Sequence, residues 1–258
     1  MEGGELFDVI ATSGSFSEMN AQRIMRDILQ GIAYLHTHSI VHRDIKPENV
    51  LCKSSKSFPL TVKIADLGLA GFLGESGEMS ERNQQQMIGT AAYVAPEIVR
   101  KEPYGAGVDV WASGVLLYIM LTGKMPFYGN DESEVLKMIL DGEVDYSLPE
   151  FEPISESAKS LLRSLLQKDP NRRLTAQAAL NHRWIEDSSI VSDAPLGNDY
   201  SNLHSSRRKF RRAVIAVASL KKMSMLRMAT ANAVASGAFS TVSSSSITSE
   251  QQPKTNPS

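Results

Sequence analysis

The sequence predicts a mainly α-helical domain over residues 1–190, followed by a basic helical segment and a polar end. Three observations lead there. Apolar residues recur at three- and four-residue spacing in segment after segment, while only two short runs are rich in β-branched residues. The stretch VWASGVLLYIML (residues 110–121) is apolar on every side, as a core helix is, and too short for a membrane span of roughly 20 residues. Charge also changes sign along the chain. Residues 201–258 hold nine Lys/Arg against the single acid Glu250, leaving 18 basic and 28 acidic groups in residues 1–200. The net charge of −2 therefore combines a body of −10 with a tail of +8.

The elements follow in order. Ile24, Ile28, Ile32 and Leu35 share one face of a helix expected over residues 17–36. Two short strands are expected at residues 49–51 and 60–64, joined by the turn-like KSSKSFP. Helical patterns return at residues 95–100, 108–122, 132–141, 157–167 and 175–181. Ser155–Glu156 and Thr175 with Gln177 provide starts for the last two, the second after the turn DPNRR. Residues 184–205 are polar and read as irregular. Residues 206–228 form a basic amphipathic stretch, and the Ser/Thr-rich residues 229–258 read as disordered.

The N-terminus, MEGGELFDVI, lacks the basic and apolar regions of a secretory leader. One cysteine, Cys52, excludes an internal disulfide. These features place the chain in the cytoplasm, with the nucleus left open. No nucleic-acid partner and no transmembrane segment are expected.

Three motifs appear in a fixed order: HRDIKPENVL (residues 42–51), ADLGLA (65–70) and GTAAYVAPE (89–97), followed by DVWASG and DPNRRLT. Together they resemble the catalytic loop, magnesium loop and activation-segment end of eukaryotic Ser/Thr protein kinases of the calcium/calmodulin-dependent group. The resemblance covers about residues 1–186. It implies a mainly α fold, the kinase large (C-terminal) lobe with short β-hairpins, followed by the basic amphipathic helix and disordered tail. The implied organisation is an incomplete kinase domain over 1–186 and a linker or autoinhibitory segment over 187–205. A calmodulin-binding helix over 206–228 and the tail over 229–258 complete it.

Phosphoryl transfer needs an in-line hydroxyl and neutralised phosphate charge, with little covalent work from the protein. The resemblance makes Asp44 the carboxylate that orients the substrate hydroxyl and accepts its proton. Lys46 stabilises the transferring group and points to Ser/Thr acceptors. Asn49 and Asp66 are the implied oxygen ligands of Mg2+. Leu51 forms the floor under the adenine, and Thr90 shapes the acceptor site. Met1, Glu5, Glu48, Asn49, Leu51 and Asp66 make up the implied ATP side. Glu5 and Glu48 also match acidic positions that face a substrate Arg about three residues before the acceptor, where charge-assisted pairing favours a basic side chain. Alternatively they are surface acids.

Bland structural roles are expected for four other residues. His42 reads as a core histidine, Asp109 as an acceptor for the catalytic-loop backbone, and Glu97 with Arg173 as a buried ion pair. Leu67 replaces the family's usual Phe, and its apolar packing is expected still to position Asp66.

Met1-Glu2-Gly3-Gly4-Glu5-Leu6 resembles the hinge and the first large-lobe helix. The chain is therefore expected to begin at the hinge, to lack the small lobe with its phosphate-gripping lysine, and to be inactive alone. Gln86 stands where calmodulin-activated relatives carry a threonine, so switching by an upstream kinase at that position is not expected.

In residues 206–228, eight cations accompany Phe210, Val214, Val217 and Met223, at positions 1, 5, 8 and 14 of a helix-in-groove pattern. Calmodulin, a membrane surface and the acidic body are three candidate partners. The two function classes are a Ser/Thr kinase acting on proteins with Arg upstream of Ser/Thr, and a non-catalytic module that recruits calmodulin or substrates.

Overall fold

The computed structural model describes residues 3–12, 16–53, 59–79 and 91–200. All lie in the compact unit Met1–Arg208. Met1, Gln86, Thr90 and the whole of 206–258 lie outside the described residues, and with them the expected basic helix and tail.

Described helices are α1 (Leu6–Thr12), α2 (Glu18–Thr37), α3 (Pro96–Val99), α4 (Gly107–Thr122), α5 (Glu132–Asp141), α6 (Glu156–Leu165), α7 (Ala176–Leu180) and α8 (Arg183–Glu186). The strands are β1 (Ile40–Val41), β2 (Val50–Cys52), β3 (Val62–Ile64) and β4 (Gly71–Phe72). They form two antiparallel pairs, β1 with β4 and β2 with β3. The expected mainly α character holds among the described residues, and each helix predicted from periodicity is present within two residues of its expected ends.

Helix α4 is the centre. Every residue from Val108 to Thr122 is buried. Its polar members answer locally: Ser113 Oγ donates to Val110 O and Thr122 Oγ1 to Tyr118 O. Gly123 ends the helix at φ 70°, a left-handed turn suited to glycine. Gly114 permits close approach to α6, because a Cβ there would lie 2.9 Å from Leu165 Cβ.

Helix α2 runs antiparallel to α4. His36, near its C-terminus, meets Asp109 at the start of α4, while Phe16, ahead of its N-terminus, packs on Tyr200, whose hydroxyl donates to Met120 O. Ser17 caps α2 by accepting from Asn20 N. Glu18, almost fully buried, accepts from Ser155 N at 2.9 Å, Ser155 Oγ at 2.6 Å and Trp184 Nε1 at 2.7 Å. One carboxylate thus joins α2, the cap of α6 and α8. Ser155 Oγ in turn accepts from Ala158 N, as its predicted capping role requires.

Of the residues expected to be irregular, 187–200 lie outside any α-helix or named strand, while 184–186 do not follow that expectation. Part of the segment is helix α8, and the rest is packed. Met19 N donates to Ser192 O, Leu196 N to Phe16 O, and Asn198 Nδ2 to Leu121 O at 2.5 Å. Burial pushes the Tyr200 hydroxyl up to about 12. The bonds of Asn198 and Tyr200 fall at the C-terminal end of α4. By helical rise that end is about 17 Å along the axis from Asp109.

Arg173 and Glu97 form the predicted buried pair, with Nη1–Oε1 at 2.7 Å and Nη2–Oε2 at 2.9 Å. Arg173 also donates to Gln167 O and Gly107 O and lies over the Trp111 ring, so its charge is answered on several sides. Glu97→Ala should strand that guanidinium and destabilise the domain by about 3–5 kcal/mol. Urea denaturation measures it; a loss no larger than that of an exposed Glu→Ala control would refute the structural role given to the pair.

Candidate active site

The site begins with Asp109, in the first turn of α4. Its Oδ2 accepts from His42 N and its Oδ1 from Arg43 N, both at 2.8 Å. His36 Nε2 lies 2.9 Å from Oδ2. This is the backbone-holding role expected for Asp109. It offsets a conformational cost, because Arg43 sits in the left-handed region at φ 66°. Arg43 Nε donates to Leu69 O, which ties the catalytic loop to the segment after Asp66.

His42 is fully buried and acts as the structural residue expected. Asp44 N donates to its Nδ1, so Nε2 carries the proton and donates to Ala65 O at 3.0 Å. Asp44 is buried but for its edge. Lys46 Nζ lies 2.6 Å from Asp44 Oδ2, and Asn49 Nδ2 donates to the same oxygen at 3.0 Å and to Asp44 O at 2.8 Å. Asp44, Lys46 and Asn49 are therefore one hydrogen-bonded cluster.

Asp66 reaches the cluster's vicinity through strand register. Val50 pairs with Ile64, and beyond the hairpin end Ala65 N donates to Asn49 O at 2.8 Å. Asp66 follows Ala65. At φ 64° it occupies a conformation that Asp tolerates, with Oδ1 accepting from Gly68 N. Leu67 does not position it by packing, contrary to expectation. Its side chain is 55% exposed, and the turn itself fixes Asp66.

With Nδ2 turned to Asp44, Asn49 keeps Oδ1 as an oxygen donor, and Asp66 adds a carboxylate. That pair suits a hard cation such as Mg2+. Among the described residues no group of three or more His, Cys, Asp or Glu side chains is placed to hold a metal, so an amide and water or phosphate oxygens would complete any such shell.

Leu51 is half-buried on β2 opposite Lys63. Gly3 N donates to Cys52 O and Cys52 N to Gly4 O, which lays the hinge-like residues along β2. Glu5 forms a bridge with Leu51, and Glu48 sits in the 3-10 turn Pro47–Asn49; both are half-buried. Met1 and Thr90 lie outside the described residues. Sequence reading did not anticipate the β1–β4 pair, which matches Val41 with Gly71 and holds the segment after Asp66 against the catalytic loop. Two-residue strands leave no periodic signal.

A model of the protein kinase domain matches residues 1–185. The chain belongs to the protein kinase family. The chain is 36% identical over 228 residues to calcium/calmodulin-dependent protein kinase type 1 of Caenorhabditis elegans, covering 88% of this chain and 64% of the relative. It is 42% identical over 196 residues to calcium-dependent protein kinase 29 of Arabidopsis thaliana, with coverages of 76% and 35%. Calcium/calmodulin-dependent protein kinase type II of Caenorhabditis briggsae is 37% identical over 260 residues, with coverages of 99% and 48%. The chain thus spans between about a third and two thirds of the length of these relatives. By family it is a protein kinase, the relatives it matches are named as calcium/calmodulin-dependent and calcium-dependent kinases, and kinases of that type use ATP and Mg2+. The expectation that the small lobe is absent gains no support, since the domain model matches from residue 1 onward. No helix among the described residues is long and apolar enough to cross a membrane.

Two outcomes test this geometry. Asp109→Asn leaves one good acceptor oxygen for two backbone N–H groups and should cost about 1–3 kcal/mol in urea denaturation. An unchanged midpoint would contradict its holding role. Burial raises the Cys52 thiol from 9.0 to about 11, so the folded state favours the protonated form. That contribution is complete below pH 9 and declines as pH rises toward about 11. At pH 8 a thiol-specific reagent should label Cys52 at the unfolding-limited rate; fast native-state labelling would contradict its burial.

Proposed function

We propose that this chain is the substrate-facing part of a calcium/calmodulin-regulated kinase that moves the γ-phosphoryl group of ATP to Ser/Thr hydroxyls of basophilic proteins. The observation that carries the reading is the single cluster of Asp44, Lys46 and Asn49. Asp44 would receive the hydroxyl proton on Oδ1, the oxygen that Lys46 and Asn49 leave open, as the acceptor oxygen bonds to phosphorus and the bond from phosphorus to the β–γ bridging oxygen breaks. Lys46 sets its amino group beside Oδ2, and Asn49 fixes the carboxylate's orientation. Mg2+, held by Asn49 Oδ1 and Asp66, would supply charge neutralisation to the phosphates. Met1, Leu51 and the hinge-like residues are the proposed adenine contacts. Thr90 is the proposed shaper of the acceptor site.

Glu5 and Glu48 are the proposed partners of a substrate arginine three residues before the acceptor. The relatives named for calmodulin dependence, together with the basic pattern of 206–228, support calmodulin as the regulatory partner. A cytoplasmic site of action fits the same reading.

Calorimetry of Mg–ATP binding to the 258-residue chain, with Asp66→Ala as control, is the first test. Binding lost in the variant supports the assignment; binding that survives it unchanged removes Asp66 from the site. Where turnover is measurable, Asp44→Asn should lower kcat at least about 100-fold with KM for ATP little changed. Near-normal kcat would favour the non-catalytic recruiting module. Replacing the upstream Arg of a peptide substrate by Ala should raise KM, and Glu48→Gln should shrink that difference. Equal discrimination in the variant would leave Glu48 as a surface acid.

A further inference from the structure

The β2–β3 hairpin has one face against the core and one face open. Val50, Cys52 and Val62 are buried, and Asp27 Oδ2 on α2 accepts from Val62 N at 2.9 Å. Residues directly opposite in register share a face. Leu51 is matched with Lys63 across the hairpin and with Glu5 on its other side. Glu5, Leu51 and Lys63 therefore form one row on the open face: a half-buried carboxyl, a half-buried apolar floor and an exposed amino group. Two residues before Leu51, Asn49 O accepts from Ala65 N, and this pair continues the row's face toward Asp66.

We infer that this row fits the base site to guanine, so that the chain binds guanosine triphosphate with Mg2+ as well as adenosine triphosphate. The inference rests on the reading of Leu51 as the floor under the base, and deepens it. At strand rise Leu51 lies about 7 Å from Asn49, so a base rests on Leu51 when phosphates and cation sit at Asn49 and Asp66. The backbone groups beside that floor are already engaged. Gly3 N donates to Cys52 O at 3.2 Å, and Cys52 N donates to Gly4 O at 2.9 Å. Among the described residues, the edges of the base are thus left to the side chains of the row.

Guanine has an acceptor edge, O6 and N7, and a donor edge, N1–H and the 2-amino group. A lysine ammonium carries three donors and no acceptor, while an ionised carboxylate only accepts. With neighbouring strands ~4.8 Å apart, the backbones at Glu5 and Lys63 stand roughly 10 Å from each other, room for one flat ring system with a hydrogen bond of about 3 Å at each edge. Lys63 then meets O6 and N7, and Glu5 meets the donor edge. Adenine rests on the same floor but presents its 6-amino group where guanine has O6, so donor faces donor there. The charge-assisted bond that Lys63 makes to O6 is the interaction that separates the two bases.

The test is calorimetry of Mg–GTP and Mg–ATP with the full 258-residue chain and with Lys63→Met, Lys63→Arg and Lys137→Met. The Kd for Mg–GTP is expected within about tenfold of that for Mg–ATP. Lys63→Met should weaken Mg–GTP about fivefold or more and Mg–ATP less than about twofold. Lys63→Arg keeps a cationic donor and should retain most of the GTP affinity. Lys63 and Lys137 are both exposed, so folding is preserved and checked by circular dichroism. Lys137→Met, on α5, should leave both nucleotides unchanged. Binding of ATP without GTP overturns the inference and leaves the nucleotide site standing; binding of neither overturns both. Unchanged GTP affinity in Lys63→Met also overturns the inference. So does an equal loss of both nucleotides there, which reports a phosphate contact, or an equal loss in Lys137→Met, which reports general charge attraction.

Discussion

The carboxylate of Asp109 fixes the geometry on which the catalytic loop depends. It sits in the first turn of a helix whose side chains are buried throughout, and it is itself withdrawn from water. From that position its two oxygens hold His42 N and Arg43 N. A carboxylate accepting charge-assisted bonds in a dry setting is a stronger tether than a neutral acceptor would be. It keeps Arg43 in a left-handed conformation that an unrestrained arginine would leave. Asp44 is the next residue along, so its direction is inherited from α4. His42 carries the same constraint across to Ala65, and through it toward Asp66.

The surroundings of α4 reinforce this frame from the other side. Trp111 stacks on Phe127 at 5.4 Å, with the rings nearly parallel, and the Arg173 guanidinium covers it. Arg173 then reaches Glu97 of α3, at the end of the segment that begins with Asp66. The buried pair carries a desolvation cost, so its value lies more in fixing where α3 joins the core than in net stability. Exposed pairs such as Arg100–Glu102 at 3.7 Å contribute far less.

The helices were legible because each carries a stripe or a fully apolar run, and because Ser155 and Thr175 serve as side-chain caps. The Asp44, Lys46 and Asn49 cluster was legible because six consecutive residues contain it. Other features depend on contacts between distant residues. Asp66 comes beside Asn49 only through the pairing of β2 with β3. The packing of residues 187–200 was hidden because its bonds run to backbone carbonyls, such as Leu121 O and Met120 O, which no side-chain pattern announces. Leu67 misled for the opposite reason: hydrophobicity suggested a packed position, while a local turn does the positioning.

Glu18 has a consequence for how the polypeptide acquires its form. Its donors, on Ser155 and Trp184, lie 137 and 166 residues further along. During synthesis at about 5–20 residues per second, Trp184 emerges roughly 8–33 s after Glu18. Over that interval the N-terminal half of α2 carries a negative charge at the edge of an apolar face with nothing yet to cover it. That charge is an advantage while the helix waits: hydrated, it discourages the premature burial of Ile24 and Ile28 against the wrong surface. The residue that later locks three helices together first acts as a solubilising group on a nascent chain.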